Sequence, residues 1–258
     1  MDSFQVKLWR ERSSLSGIRS TIDPADTKGI KNSYIDLTHK ICLDRVMDLS
    51  TESKLLDFGC GSGRFSTWIA NYGASEVIGL DASLEMVDQA NKRCPTRWNL
   101  SFLNYDGSTI PFPYGYFDKV LSVWVLQHIV GQGEFRTIVQ ELNRVLRIGG
   151  RIFFIEHVMK ETTLEKYPGT NLYYKILRSP EDYINSFQQN GFRLVKYYPI
   201  STRQSGLIYK FIERNLFPTF MKKLLPAFVK YDLFTTSNMK VPKRGYVDCL
   251  FVFEKVAK

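Results

Sequence analysis

Cysteine is scarce in this chain: Cys42, Cys60, Cys94 and Cys249 are scattered, with no CxxC pair and no Cys/His cluster at metal-ligand spacing. Neither a disulfide framework nor a zinc site is expected. Histidine is scarcer still, so imidazole chemistry can fall only to His39, His128 and His157. No run of about 18 apolar residues occurs, and a membrane-spanning helix is not expected. The opening MDSFQVKLWRERSS lacks the apolar stretch and small-residue cleavage site of a secretory signal, which leads to the expectation of a cytoplasmic protein. Acidic residues are also in deficit, 26 against 35 bases, for a formal charge of +9. The excess is concentrated in residues 203–258, where eleven basic side chains face four acidic ones. What remains, 44% hydrophobic and 24% charged over 258 residues, fits one sizeable globular domain, or one domain with a large insertion.

From about residue 54 the chain alternates short apolar runs with amphipathic stretches. KLLDFG ends in glycines, and RFSTWIANYG has helical spacing up to Gly73. SEVIGLD reads as the next strand, and Ser83 is placed to cap the helix LEMVDQANKRC, which Pro95 ends. LSFLNYD, KVLSVWV and RIFFIEHV follow as strands, with the helix EFRTIVQELNRVL expected to end at Gly149-Gly150. SPEDYINSFQQNGF carries a helix start at Ser179-Pro180 and a stop at Gly191, before the strands RLVKYYPI and VDCLFVFEKV. Repeated βα units imply a doubly wound, mostly parallel sheet with helices on both faces. Three parts are expected: a helical N-terminal extension (1–50), a core (51–198 plus 246–258), and a helical insertion (199–245) that caps the pocket and recognises the substrate.

Gly59, Gly61 and Gly63 lie at the first strand-to-helix turn, where missing Cβ atoms let the backbone approach a ligand. A dinucleotide fingerprint would place its third glycine where Arg64 stands, which argues against a nicotinamide cofactor. Asp81 closes the second strand at about the offset of a ribose-hydroxyl acceptor, so a nucleoside is implied.

With these motifs in order, the chain resembles the class I S-adenosylmethionine (SAM)-dependent methyltransferases, in particular the small-molecule enzymes of the ubiquinone-biosynthesis type. The resemblance rests on Asp57-x-Gly59-Cys60-Gly61-x-Gly63, Asp81, Asp106-Gly107, SVWVLQH and NRVLRIGGRIFFIEH, and it covers roughly residues 50–198 and the last strand. It implies a Rossmann-like seven-stranded sheet whose last strand is antiparallel. It also implies that the glycine turn with Asp57 and Cys60 holds the methionine half of SAM, and that Asp81 binds the ribose, with Ala82 and Met86 beside it. In the same way Asp106 and Gly107 would face the adenine, and Val123 would run under the cofactor. Bland alternatives stand beside these roles: Gly63 serving only helix–strand packing, Asp57 bracing the turn, and Asp106 capping a helix. Lys31 and Tyr34, in KGIKNSYIDLTHK, either contact the SAM carboxylate or belong to ordinary helix packing.

Methyl transfer is an in-line displacement, and positioning supplies more of its acceleration than a general base does. If a base is used, His128 and His157 at strand ends are the candidates, with Glu156 behind them. The alternatives are a capping or supporting role for His128 and a satisfied structural hydrogen bond for His157. The expected acceptor is a small molecule, of amphiphilic character if the basic, aromatic segment 203–244 leans on an anionic membrane or lipid. Nucleic acid is less favoured, because Ser122-Val123-Trp124-Val125 stands where an amino-methyltransferase of DNA would carry Asn/Asp-Pro-Pro-Tyr/Phe. A non-catalytic SAM-binding scaffold remains the competing class.

Overall fold

A computed structural model describes residues 3–15, 17–95, 97–169, 171–202, 218–236, 241 and 245–257. The strands are β1 (Lys54–Phe58), β2 (Glu76–Asp81), β3 (Leu100–Asn104), β4 (Phe117–Val123), β5 (Leu146–Val158), β6 (Thr163–Lys166), β7 (Tyr173–Leu177), β8 (Phe192–Thr202) and β9 (Val247–Lys255). The helices are α1 (Ser3–Ser13), α2 (Ile30–Asp44), α3 (Arg64–Ala70), α4 (Leu84–Arg93), α5 (Gln132–Val145), α6 (Pro180–Gln189) and α7 (Pro218–Thr236). Seven strands form one sheet in the order β3-β2-β1-β4-β5-β9-β8. The pairings from β3 to β5 are parallel, and β9 runs antiparallel between β5 and β8. The doubly wound sheet with an antiparallel last strand is therefore the one expected.

Both faces of the central strands are buried, because these strands alternate apolar side chains between two cores. Leu56, Phe58 and Phe154 pack with α5 and α6, whose Leu142, Tyr183 and Phe187 are fully buried. Leu55, Leu121 and Phe153 face the other way, against Leu43 of α2, Phe65 of α3 and Val229 of α7. The expected caps form: Ser83 Oγ accepts from Met86 N at 3.3 Å, and Ser179 Oγ accepts from Asp182 N at 3.1 Å.

Three features depart from the sequence reading. Helix α5 stops at Val145 rather than Gly149, because Leu146 already pairs with Phe117; Gly149, at φ 73°, lies in the bulge that precedes the Lys119–Arg151 pairing. Helix α7 runs unbroken through Pro226, although a proline in a helix interior ordinarily kinks or ends it. A proline forfeits one backbone bond there, but Leu225, Val229 and Leu233 bury a continuous stripe in the core with α2, which holds the helix together. The third feature is the β6–β7 hairpin, a separate two-stranded sheet between β5 and α6.

Gly63, the residue before α3, sits at φ 78°, and a Cβ there would lie 2.7 Å from Phe102 Cζ and 2.8 Å from Cys94 Sγ. Left-handed strain and overpacking together should make Gly63→Ala cost about 2–4 kcal/mol in denaturant unfolding. A loss under about 0.5 kcal/mol, the scale of an ordinary surface change, would contradict this packing.

Candidate active site

The carboxyl ends of β1, β2, β4 and β5 open on one cavity of about 490 Å³. An open α/β sheet places its ligand crevice at these strand ends. The cavity gathers Asp57, Gly59, Cys60 and Gly61 from the first turn, Asp81, Ala82 and Met86 from the second, Val123 and His157 from β4 and β5, and His128 from the turn that follows β4.

Gly59 has φ 74°, and its own N–H donates to Leu80 O at 2.7 Å; an added Cβ would meet Val125 Cγ2 at 2.3 Å. The β1 turn and the β4 turn are therefore in contact, which only glycine permits here. Asp81 braces the same turn: its Oδ2 accepts from Gly61 N at 2.8 Å and its Oδ1 from Ser83 N at 2.9 Å. Burial pushes its carboxyl up, against the N–H groups of Ser83, Gly61 and Ala82. Asp57 is fully enclosed and accepts from Ser66 Oγ at 2.5 Å; burial pushes it up to about 6.

The remaining expected site residues lie outside the cavity lining. Lys31 forms an ion pair with Asp23, which does line the cavity. Tyr34 is buried in the core around α2, and Gly63 packs on Phe102 and Cys94. Asp106 is at the surface and closes its own turn, its Oδ1 accepting from Ser108 N and Thr109 N at 2.8 and 2.9 Å; these bonds hold its carboxyl low. Gly107, at φ 84°, shapes that turn, and from this loop it is Tyr105 that reaches the cavity.

His128 is buried edge-on to Trp9, with ring centroids 5.1 Å apart. Its Nδ1 lies 3.0 Å from the carbonyl oxygen of Tyr174; a carbonyl only accepts, so Nδ1 carries the proton and Nε2 the lone pair. Burial, opposed by that bond but aided by Lys175 and Arg12, pushes the imidazole down to about 3. Glu156 is spent on the backbone: Oε1 accepts from Val125 N and Leu126 N at 2.9 and 2.7 Å, and Oε2 from Gln127 N at 3.2 Å.

Several lining residues were not foreseen. Trp9 and Arg12 of α1, with Thr21–Pro24, close one side, and Glu165, Tyr174 and Lys175 of the β6–β7 hairpin contribute another. No described side chain of α7 lines the cavity, and residues 203–217, 237–240 and 242–244 of the expected recognition insertion lie outside the described residues. Gln127, 2% exposed, also lines the cavity, and its Oε1 has no hydrogen-bond partner among the described residues. A buried acceptor without a donor is costly, and a ligand N–H or O–H would relieve it. With an acid below the glycine turn, an acid at the end of β2 and an unmet acceptor in the same cavity, the donor set fits a cationic nucleoside and a second polar ligand. No group of His, Cys, Asp and Glu among the described residues could hold a metal ion, and no described helix is long and apolar enough to cross a membrane.

A family model described as a methyltransferase domain matches residues 56–154. The malonyl-acyl-carrier-protein O-methyltransferase of Legionella pneumophila is 33% identical over 102 residues, which cover 39% of this chain and 35% of that one. This chain spans less than half the length of the curated relatives it matches. Among solved structures it is similar to the geranyl diphosphate C-methyltransferase of Streptomyces coelicolor, crystallised with S-adenosylhomocysteine (SAH), at a TM-score of 0.62 and 14% identity, over 99% of this chain and 98% of that one. A phosphoethanolamine N-methyltransferase of Haemonchus contortus, also with SAH, aligns at a TM-score of 0.63 and 20% identity, over 95% of this chain and 61% of that one. At these identities the likeness is one of fold.

Proposed function

We propose that this chain, a member of the class I SAM-dependent methyltransferase family, transfers a methyl group to an oxygen or nitrogen of a small-molecule acceptor. The observation that carries this reading is the single cavity joining the Gly59–Gly63 turn and Asp81 to His128, His157 and Gln127. The turn, Asp57 and Asp81 would hold SAM, and the β4 and β5 ends with the hairpin would hold the acceptor. Bound there, SAM supplies an electrophilic methyl carbon on a cationic sulfur. The chain's own part is to orient the nucleophile and exclude water, which is where most of the acceleration of such a displacement arises.

Within this scheme the two histidines divide the work. His128, held neutral by burial beside Arg12 and Lys175, offers Nε2 as a hydrogen-bond acceptor that orients the nucleophile. His157, in ring contact with Trp124 and Tyr246 at 4.6 and 4.3 Å, takes the nucleophile's proton. An amphiphilic acceptor is supported by the outer face of α7, where Leu224, Tyr231 and Phe234 are exposed beside Lys223 and Lys230.

Asp57 yields a pH prediction. Its folded value of about 6 stands above the ordinary 3.8, so the apo protein holds a proton there between about pH 4 and 6. A cationic ligand favours the ionised form and must expel that proton. SAM affinity should therefore rise as pH increases from 5 to 7, with about one proton released, and Asp57→Asn should flatten the profile. Calorimetry in buffers of different ionisation enthalpy reads the proton directly, and a flat wild-type profile would reject this role.

To test the function, SAH is titrated into the full chain, and methyl-labelled SAM is then incubated with a cell extract divided into small-molecule, lipid, RNA and protein fractions. Label in the small-molecule or lipid fraction supports the proposal. Label in RNA or protein reassigns the acceptor, and SAH binding without transferred label favours a scaffold.

A further inference from the structure

Two members of a buried cluster around His157, Asp248 and His39, have no part in the scheme above. Asp248, on β9, has its Oδ1 3.0 Å from His157 Nε2 and accepts from Trp124 Nε1 at 3.0 Å. Its Oδ2 lies 3.3 Å from His39 Nε2. Side chains from α2, the end of β4, β5 and β9 therefore meet on one carboxylate, and two of the chain's three histidines share it.

Burial alone would push Asp248 up, but its contact with His157 and its hydrogen bond with His39 hold it well below the usual carboxylate range, so it stays ionised. An ionised carboxylate only accepts, so each imidazole presents Nε2–H to it and, when neutral, keeps its lone pair on Nδ1. His39 is fully enclosed and pushed down by burial, so it binds Asp248 as a neutral ring and leaves the negative charge uncompensated. His157 is the histidine of this pair that lines the cavity. The other groups around the cluster are the rings of Trp124 and Tyr246, the His128 imidazole, and two cations: Arg64, paired with Asp36 at 2.8 Å, and Lys175, paired with Glu165 at 3.4 Å. Asp248 is thus the one acid in direct contact with His157 among the described residues.

We infer that Asp248 is a positioning residue for methyl transfer: it fixes His157 in the Nε2–H tautomer, so that Nδ1 takes the proton of the acceptor, and it faces the imidazolium that results. This rests on the reading of the cavity as the methyl-transfer site. In the step, the acceptor's O–H or N–H bond breaks and its proton goes to His157 Nδ1. The acceptor's electron pair forms the new bond to the methyl carbon, and the carbon–sulfur pair returns to sulfur. Asp248 keeps its charge throughout, as an orienting carboxylate does beside a histidine base. A purely structural alternative exists, because Trp124 has φ 59°, a costly conformation for a bulky residue, and its indole is bonded to Asp248. In that case Asp248 would serve the β4 turn alone.

The two roles separate in the nitrogen resonances of the full chain labelled with ¹⁵N-histidine and saturated with SAH, the three rings being assigned by single His→Gln variants. In the wild type, neutral His157 is expected to be protonated on Nε2 only. In Asp248→Asn it is expected to exchange between both tautomers, and its titration midpoint should fall by about 1–3 pH units with the loss of the opposing charge. SAH affinity should stay within about threefold, less than the tenfold that 1.4 kcal/mol represents. Trp124→Phe should leave tautomer and midpoint unchanged, whereas the structural role predicts that it reproduces Asp248→Asn. A wild-type His157 protonated on Nδ1 overturns the proposal without any variant, and so does an Asp248→Asn spectrum identical to wild type. Failure of the wild type to bind SAH is read separately, by calorimetry, and removes the methyl-transfer premise itself.

Discussion

Replacing Asp81 by alanine is expected to weaken SAH binding about 100-fold or more, the largest loss for any single side chain around the cavity. The carboxylate spans two turns, accepting from Gly61 N and Ser83 N, and so couples the glycine loop to the start of α4. Hydrogen bonds to a charged group contribute about 1.5–3 kcal/mol each, so two accepted from the ligand's ribose hydroxyls would supply the roughly 2.7 kcal/mol that a hundredfold change requires. Asp81→Asn keeps the volume and one acceptor oxygen, and should fall between wild type and alanine. Calorimetric titration decides: affinity within about tenfold of wild type in the alanine variant would mean that Asp81 only shapes the loop.

Glu156→Ala is expected to have the largest effect on stability, about 3–4 kcal/mol, because it strands three backbone donors in a dry site. Val125, Leu126 and Gln127 would lose their only carboxylate, while Arg178 would still bond Leu126 O and Ile129 O at 2.9 and 2.7 Å. The loss should appear as a lower denaturant midpoint at unchanged slope. Glu156 also gives a pH signature. Burial pushes its folded value up to about 8, against the bonds from Leu126, Val125 and Gln127 and the charge of Arg178. The unfolded carboxyl titrates near about 4.3, so across that window the folded state binds the extra proton. Its contribution to stability is therefore full below about pH 4 and is lost as pH rises towards about 8. Glu156→Gln should remove this slope, and an unchanged slope would reject the assignment.

Glu156 also illustrates how far local reading reaches. Its placement near the end of β5 was visible, and so was its standing as a weak candidate base. Its occupation by the β4 turn was not, because the two segments are some 30 positions apart and meet only through the β4–β5 pairing. The same distinction separates Asp81 from Asp106. Both are acids at strand ends, but Asp81 closes on the neighbouring glycine turn, whereas Asp106 bonds Ser108 and Thr109 within its own loop.

The elements themselves, the glycine turn, Ser83, Ser179 and the order of strands and helices follow from short-range patterns. Period, cap and φ preference act over a few residues and are written locally in the chain. What closes the cavity is not. Trp9 and Arg12 come from α1, Tyr174 and Lys175 from a hairpin with no strong local signal, and His39 meets Asp248 across 209 positions. Such contacts depend on which sheet edge an antiparallel β9 occupies and on which face α2 buries, quantities that exist only once the two cores have packed. The glycine turn and the acid of the first two strands were therefore encoded locally, while the contact of His157 with Asp248 and the remaining walls of the cavity were decided by tertiary packing.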